Sequence, residues 1–260
     1  MKLPELKPAQ TRWIEFGLIL LFAMVPLFSS FPYRVNIFLS WEGAYRLYDG
    51  QIPFKDYGIP MGFGYWVIPA IFFKVFGPYM ASLIKAQVLI NVLSGLAFRS
   101  ILKSFKVQHG LRLASILLFI ISYSFFNFWP WYNHSVIVFE LIGLSFILKF
   151  IFRISNSWKT WSTLVFGTFF LFLSFFTKQD GGGLAFLIAF FIIIYHAIVD
   201  RKYLDIALFV GAYAIWACAF ILPFIPYEFS YWFNLGQEPH NSRVELWDFV
   251  NTTLGASKWE

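Results

Sequence analysis

Long apolar stretches, each closed by a short polar segment, recur along most of the chain. Eight of them can be delimited, at roughly 13–31, 61–77, 80–102, 112–129, 134–152, 162–177, 183–199 and 205–226. A helix of about 20 apolar residues crosses the roughly 30 Å hydrocarbon layer of a bilayer and satisfies its own backbone hydrogen bonds there. Most of the runs meet that length, so the pattern predicts an all-α, polytopic bundle of membrane helices.

The run at 61–77 is the weakest candidate for a crossing. It is short, and it contains Pro69 and Lys74. We expect it to form a helix that lies at the outer membrane interface or dips into it. About seven spans then remain.

These spans predict one transmembrane module at 1–226, followed by an extracytoplasmic tail at 227–260. The first extracytoplasmic loop covers 32–79, and we expect interfacial helices in it, the first around 40–49. The tail ends where a longer loop would continue, so we expect either the start of a truncated loop or the end of a minimal module that needs a partner or has lost activity.

Basic residues indicate which side each turn faces. They form three clusters on alternate turns: Arg99, Lys103, Lys106 and Arg112; Lys149, Arg153 and Lys159; Arg201 and Lys202. Because cytoplasmic turns carry the excess of Lys and Arg, the three clusters can all be cytoplasmic. We therefore expect a protein of the plasma (inner) membrane with its N-terminus in the cytoplasm and its C-terminus outside. In the rival topology all eight runs cross and the N-terminus lies outside.

Composition excludes an ordinary soluble domain. The chain has 59% hydrophobic and only 13% charged residues, against about 25% charged residues in soluble domains. The net charge of +6 is spread over short clusters between apolar runs, which is typical of membrane topology and not of a nucleic-acid-binding face. A single cysteine, Cys218, excludes a disulfide framework within the chain.

Three acids stand out in the first extracytoplasmic loop. Glu42, Asp49 and Asp56 could supply a general base or a metal ligand near the membrane surface. Acids of an extracytoplasmic loop can also be merely solvated.

A second polar patch opens the run at 134–152. Asn133 and His134 precede it, and Glu140 lies seven residues after Asn133, on the same helix face. An acid within a membrane helix usually faces a polar cavity or a partner. The aromatic residues of this turn are equally typical of an interfacial belt.

A third patch is the turn from Thr177 to Gly183. Its three glycines, the start of the next helix and Lys178 could together form a phosphate cradle at the membrane surface. A plain hairpin turn is the alternative. In the tail, Arg243 could bind a phosphate in a bidentate manner.

The segment from Trp41 to Gly77 resembles the first loop of GT-C superfamily glycosyltransferases, which include protein O-mannosyltransferases and lipid A aminoarabinose transferases. Those proteins place an acid or an acid pair after the first span, then a Tyr, a Gly-x-x-Pro-Tyr/Phe-x-Asp turn and a closing Phe-Gly. The matching positions are Glu42, Tyr45, Gly50, Pro53, Phe54, Asp56, Pro60, Gly62 and Phe76-Gly77. The chain departs from the pattern at Trp41, where the first acid of the pair is usual.

The resemblance implies a GT-C-like fold and roles for the matching residues. It implies that Glu42 is the catalytic base, with Asp56 as the second carboxylate of the site, and that Lys178 and Gln179 face the carrier phosphate. Further cations for that phosphate are Lys55 and Arg243. Candidates for contact with sugar or acceptor are Tyr45, Asn133, His134 and Glu140. Family members often carry an Asp where Asn133 and His134 stand, so a requirement for a divalent metal stays open.

These expectations converge on a glycosyltransferase. It would move a sugar from a polyprenyl-phosphate donor to an acceptor on the extracytoplasmic side by one inverting displacement. Its partners would be the lipid-linked sugar, membrane lipid and a partner subunit, and not nucleic acid. The alternatives are a transporter or flippase for a lipid-linked sugar, with Glu140 as the coupling acid, and a non-catalytic subunit of an envelope polysaccharide assembly complex.

Overall fold

Helices make up most of the part of the chain that the structure describes. The structure, a computed structural model, describes residues 8–28, 35–59, 61–123, 127–154, 157–227 and 229–233. Within these ranges lie nine α-helices and no strand: α1 (Pro8–Ala23), α2 (Val35–Tyr48), α3 (Gly64–Phe76), α4 (Met80–Ser104), α5 (His109–Ser122), α6 (Tyr132–Ile151), α7 (Trp158–Thr177), α8 (Gln179–Val199) and α9 (Leu204–Ile221). Short 3-10 turns follow α1 at Val25–Leu27 and α9 at Leu222–Phe224, and another lies at Phe229–Phe233.

Six helices of the described chain are long and apolar enough to cross a membrane. They are α1 with the turn after it, α4, α6, α7, α8 and α9. The expectation of an all-α, polytopic membrane bundle is therefore confirmed at this level. The helix α3 has 13 residues and α5 has 14, which at 1.5 Å per residue give lengths of about 20 Å.

The helices α6 and α7 form an antiparallel pair. Near one end of the pair, the Ser174 hydroxyl donates to the Val136 carbonyl oxygen at 3.0 Å. Near the other end, the rings of Phe146 and Phe166 lie 5.9 Å apart. The helices α4 and α6 are parallel, because Phe105 after α4 contacts Phe152 after α6, with 6.4 Å between ring centroids.

Two ends of the bundle can now be distinguished. One end carries α2, the turn at 49–59 and the junction of α7 with α8, and we call it the loop end. The opposite end carries the α4–α5, α6–α7 and α8–α9 turns, and we call it the basic end. The helix α5 joins the basic end, where α4 finishes, to the loop end, where α6 begins. The helix α3 keeps both its ends near the loop end, because Gly64 lies against Leu173 and Thr177 and Phe73 packs with Leu83 at the start of α4.

A buried ion triad fixes α1 against α4 and α5. Glu15 is fully buried and accepts from Arg99 Nε at 2.6 Å through one carboxylate oxygen and from Arg112 Nε at 2.6 Å through the other. The Arg99 guanidinium also lies over the Phe16 ring, 4.5 Å from its centroid. Further along, Ile19 packs against Gly95, so α1 and α4 are antiparallel and α1 begins on the side of the basic end.

This triad corrects the grouping of Arg99 and Arg112 with Lys103 and Lys106 as one cluster of basic residues at a turn. Both arginines lie inside helices, and only 8% and 6% of their surfaces are exposed. Lys103, in the last turn of α4, and Lys106, on the turn after it, remain exposed. Both guanidinium groups can be buried because Glu15, which lies inside the first apolar run, hydrogen-bonds each of them through one carboxylate oxygen and offsets part of their charge.

The turn expected from Thr177 to Gly183 is also corrected. Only Lys178 interrupts the helical conformation, and the three glycines belong to α8. A Cβ at Gly182 would come within 2.1 Å of the Phe175 Cα. This glycine therefore permits the close approach of two helices and does not open a loop.

Candidate functional site

The helix α2 presents a carboxylate and a guanidinium side by side at the loop end. Glu42 and Arg46 are four residues apart, the spacing at which helix side chains meet. Glu42 Oε1 accepts from Arg46 Nη2 at 2.6 Å and from Arg46 Nε at 3.1 Å. The Glu42 side chain is 55% exposed, so the pair faces an open space and is weakly held.

That space is a cavity of about 290 Å³. Its walls combine the ion pair with apolar and aromatic groups: Leu39, Glu42, Gly43, Arg46, Tyr57, Gly58, Ile59, Met61 and Trp66. Gly43 is required here because a Cβ at this position would lie 1.8 Å from the Trp66 indole. We call this cavity the Glu42 pocket.

The turn after α2 positions Tyr57 beneath Arg46. Phe54 adopts a left-handed φ of 66°, a conformation that costs a non-glycine residue energy and persists where packing enforces it. Its ring is 1% exposed, and its N–H donates to the Tyr57 carbonyl at 2.8 Å. The Arg46 guanidinium then lies over the Tyr57 ring, 5.2 Å from the centroid.

The Tyr57 hydroxyl is a hydrogen-bond donor without a partner. It is buried and makes no hydrogen bond within the described part of the chain. Burial raises the pKa of Tyr57 well above its usual range, although the charge of Arg46 opposes the effect. The hydroxyl therefore stays protonated at neutral pH, and a polar ligand would relieve the desolvation that it suffers.

Lys178 lies at the same end of the bundle but does not line the Glu42 pocket. A row of aromatic contacts connects the two: the ring centroids of Tyr57 and Trp66 are 6.1 Å apart, those of Trp66 and Tyr65 5.1 Å, and those of Tyr65 and Tyr132 6.1 Å. Lys178 Nζ lies 5.9 Å from the Tyr132 centroid. It also pairs with Asp180 at 3.0 Å, so an acid already occupies the N-terminal turn of α8.

Gln179 forms a hydrogen bond to the 3-10 turn at Phe229–Phe233, which follows α9. Its Nε2 donates to the Trp232 carbonyl at 2.7 Å, and Trp232 Nε1 donates to the Phe176 carbonyl at 2.9 Å. The Trp232 side chain is 1% exposed. In this structure Gln179 thus contacts the chain itself, and its contact with a carrier phosphate stays a prediction.

The other candidates of the first loop lie around the pocket and not inside it. Asp56 Oδ2 accepts from the Ile52 N–H at 2.7 Å and so stabilises the turn. Lys55 is exposed, with its Nζ 5.9 Å from the Tyr227 ring centroid. Tyr45 stacks on Trp41 at 5.0 Å on the side of α2 that packs against Phe73.

The candidates on α6 are spread along that helix. Asn133 is exposed. The ring of His134 packs edge-on against Tyr123, with centroids 6.0 Å apart, and the Tyr123 hydroxyl donates to the His134 carbonyl. Glu140 is half-buried and forms no ion pair with any cation in the described ranges.

Two residues of the sequence analysis, Arg243 and Pro60, lie outside the described residues.

Two pocket residues escaped the sequence analysis. Arg46 was not singled out, although its i, i+4 spacing from Glu42 on a predicted helix was a usable signal. Tyr57 gave no such signal, because its place under Arg46 depends on the folded turn.

No three His, Cys, Asp or Glu side chains of the described segments lie together as a metal site. Whether the activity requires a divalent metal stays open.

Comparison of the chain with known proteins identified no relative. No protein-family model matches the chain, and no curated protein or solved structure is significantly similar to it.

Proposed function

We propose that this chain is a membrane glycosyltransferase of the GT-C type. It would take a sugar from a polyprenyl-phosphate donor and transfer it to an acceptor outside the cytoplasm. The observation that carries the proposal is the Glu42 pocket, where the Glu42 carboxylate and the Arg46 guanidinium line one cavity together with Tyr57 and apolar residues. A transfer of this kind needs a base for the acceptor and cationic donors for the leaving phosphate.

The proposed topology has seven crossings: α1 and α4 to α9. The helix α5 counts among them because it joins the two ends of the bundle. Irregular backbone is tolerated at membrane depth where protein covers it, and the buried Asn127 there donates to the Tyr123 carbonyl at 2.8 Å. The lysines and arginines of the basic end favour the cytoplasm for that end and the outside for the loop end.

The reaction uses Glu42 and Arg46 in turn. When the donor binds, its phosphate replaces Glu42 as the partner of Arg46, because an exposed pair is worth only about 0–1 kcal/mol. The freed carboxylate accepts the proton of the acceptor hydroxyl while that oxygen attacks the anomeric carbon. The bond from this carbon to the phosphate oxygen breaks, and the phosphate leaves with the electron pair, stabilised by Arg46 and the Tyr57 hydroxyl.

The carrier lipid needs apolar surface next to the pocket. Phe38 and Leu39 lie one turn before Glu42 on α2 and are 51% and 37% exposed. Ile59 and Met61 continue this surface along the pocket wall. An isoprenoid chain could therefore leave the pocket along α2 without exposing its carbons to water.

The test is donor turnover by the purified protein in liposomes. We would incubate it with a panel of radiolabelled polyprenyl-phosphate hexoses and measure released polyprenyl phosphate. We expect turnover of at least one donor by the wild type and a KM at least tenfold higher for Arg46→Gln. Arg46→Lys should lie between the two, and the exposed Lys74→Gln should match the wild type. A folded wild type that turns over none of the donors would contradict the proposal.

A second function is favoured by Glu140. An acid in an apolar span without an ionic partner in the described ranges is typical of proton-coupled transport. If the chain is a flippase for a lipid-linked sugar, Glu140→Gln abolishes donor movement across a vesicle membrane while Arg46→Gln retains it. The transferase predicts that sugar transfer by Glu140→Gln stays within threefold of the wild type.

A further inference from the structure

A second cavity lies towards the basic end, between α4, α6 and α7, and encloses about 510 Å³. Cavities of 300–1,000 Å³ are of the size that holds small ligands. We call it the inner groove. It is distinct from the Glu42 pocket, with which it shares no lining residue.

The inner groove is polar at one end and apolar along the rest of its length. Its polar lining residues are Ser100 on α4, Ser145 and Lys149 on α6, and Ser162 on α7. Ser100 and Lys149 each lie seven residues beyond an apolar lining residue of the same helix, Leu93 and Ile142 respectively, which is a depth of about 10 Å. On α7, which runs the other way, Phe170 lies deep and Ser162 lies towards the basic end. The three helices thus present the same gradient.

The polar end of the groove is positively charged. Lys149 lines it, with its Nζ 4.9 Å from the Phe146 centroid, and Lys103 lies three residues beyond the lining residue Ser100 in the last turn of α4. Neither lysine forms an ion pair with an acid of the described chain. The neighbouring arginines already have acidic partners, because Arg153 holds Asp205 at 2.8 Å and Arg99 and Arg112 share the single carboxylate of Glu15.

We propose that the inner groove binds an anionic glycerophospholipid. Its phosphate would lie between Lys149 and Lys103, within reach of the Ser100 and Ser162 hydroxyls, and one acyl chain would follow the apolar lining towards Phe170. A groove with cations at its mouth and carbon along its depth is complementary to such a lipid in both charge and polarity. The ammonium of a zwitterionic headgroup would instead be repelled by the two lysines.

The proposal is independent of the proposed transferase. The Glu42 pocket lies at the loop end, whereas the lipid phosphate would sit towards the basic end. Lipid binding can therefore be measured directly, whether or not the protein transfers a sugar.

The experiment measures lipid binding to the purified, delipidated protein by native mass spectrometry in detergent. The probes are phosphatidylglycerol, phosphatidylcholine with matched acyl chains, and soluble glycerol phosphate. We expect phosphatidylglycerol to bind at least about tenfold more tightly than phosphatidylcholine, as contacts between charged groups and phosphate allow. Glycerol phosphate should not compete, because it lacks the acyl chain.

Variants test the position of the site. Lys149→Gln should lower phosphatidylglycerol affinity by about tenfold, Lys149→Arg should retain it, and the matched charge removal Lys74→Gln on α3 should leave it unchanged. Equal binding of both lipids, full competition by glycerol phosphate, or wild-type affinity in Lys149→Gln would each overturn the proposal. If Lys149→Gln does not fold, the lipid preference of the wild type and of Lys149→Arg still decides it.

Discussion

Glu15 of α1 and Arg99 of α4 form an ion pair of 2.6 Å although 84 residues separate them in the chain. The carboxylate is fully buried, and its second oxygen holds Arg112 of α5. One acid thus joins three helices and determines where α1 lies in the bundle.

Removal of this acid should destabilise the fold strongly. Glu15→Ala leaves two buried guanidinium groups without a counter-charge, a change that costs about 3–5 kcal/mol when one partner of a buried pair is lost. We expect a large fall of the thermal midpoint in detergent. Glu42→Gln, which breaks an exposed pair, is the matched control and should change stability by about 0–1 kcal/mol. Equal midpoints for Glu15→Ala and the control would show that the triad does not support the fold.

The sequence predicted the helices well, because apolar runs and polar breaks report directly on membrane helices. The weak run at 61–77 was expected to form a short helix, and α3 at Gly64–Phe76 is one. The triad could not be predicted in the same way. Arg99 and Arg112 look like loop charges when hydropathy is read along the chain, and only the packing of α1 shows that both pair with Glu15.

The candidate site was predicted in part. Glu42 was singled out through the resemblance of the first loop to that of GT-C enzymes, and it lines a pocket. Lys178 shares the loop end with Glu42, but Arg46 is the cation in that pocket. The partners of the other candidates, such as Ile52 for Asp56 and Trp232 for Gln179, depend on folded turns and leave no periodic signal.

Gly62 should be indispensable for the position of the pocket wall. A Cβ at Gly62 would lie 2.0 Å from the Phe176 carbonyl oxygen, and that backbone cannot yield without moving α7. Gly62→Ala should therefore displace Met61 and lower both the thermal midpoint and donor turnover. The control is Gly17→Ala, where a Cβ meets nothing within 4 Å and where alanine favours the helix by about 0.5–1 kcal/mol. Indistinguishable behaviour of the two variants would refute the close packing.

The variant Tyr57→Phe tests whether the Tyr57 hydroxyl serves function or the stability of the fold. Its hydroxyl has no partner in the described chain, so its removal should leave the thermal midpoint unchanged or raise it slightly. Loss of a donor to the phosphate should reduce kcat/KM for the lipid-linked sugar by up to about tenfold. Tyr195→Phe, at an exposed position of α8, serves as the control. A loss of stability without a loss of turnover would assign Tyr57 to the fold alone.

The proposed topology predicts which positions react with a membrane-impermeant thiol reagent in intact cells. In a Cys218→Ser background, cysteines at the exposed Asp49 and Asp180 of the loop end should be labelled from outside. Cysteines at Gln108 and Lys159 of the basic end should react only after permeabilisation. Gly182 is unsuitable, because a side chain there would clash with Phe175. Labelling of Asp49 and Asp180 from opposite sides would contradict the topology.

The most direct test of the account is the rate of a single turnover by Glu42→Gln at saturating lipid-linked sugar and acceptor. General-base catalysis contributes about 10²–10⁴-fold, so we predict a rate at least 100-fold below that of the wild type, with donor binding and thermal midpoint unchanged. A rate within threefold of the wild type, from a folded variant that binds the donor, would contradict the central claim that Glu42 accepts the proton of the acceptor.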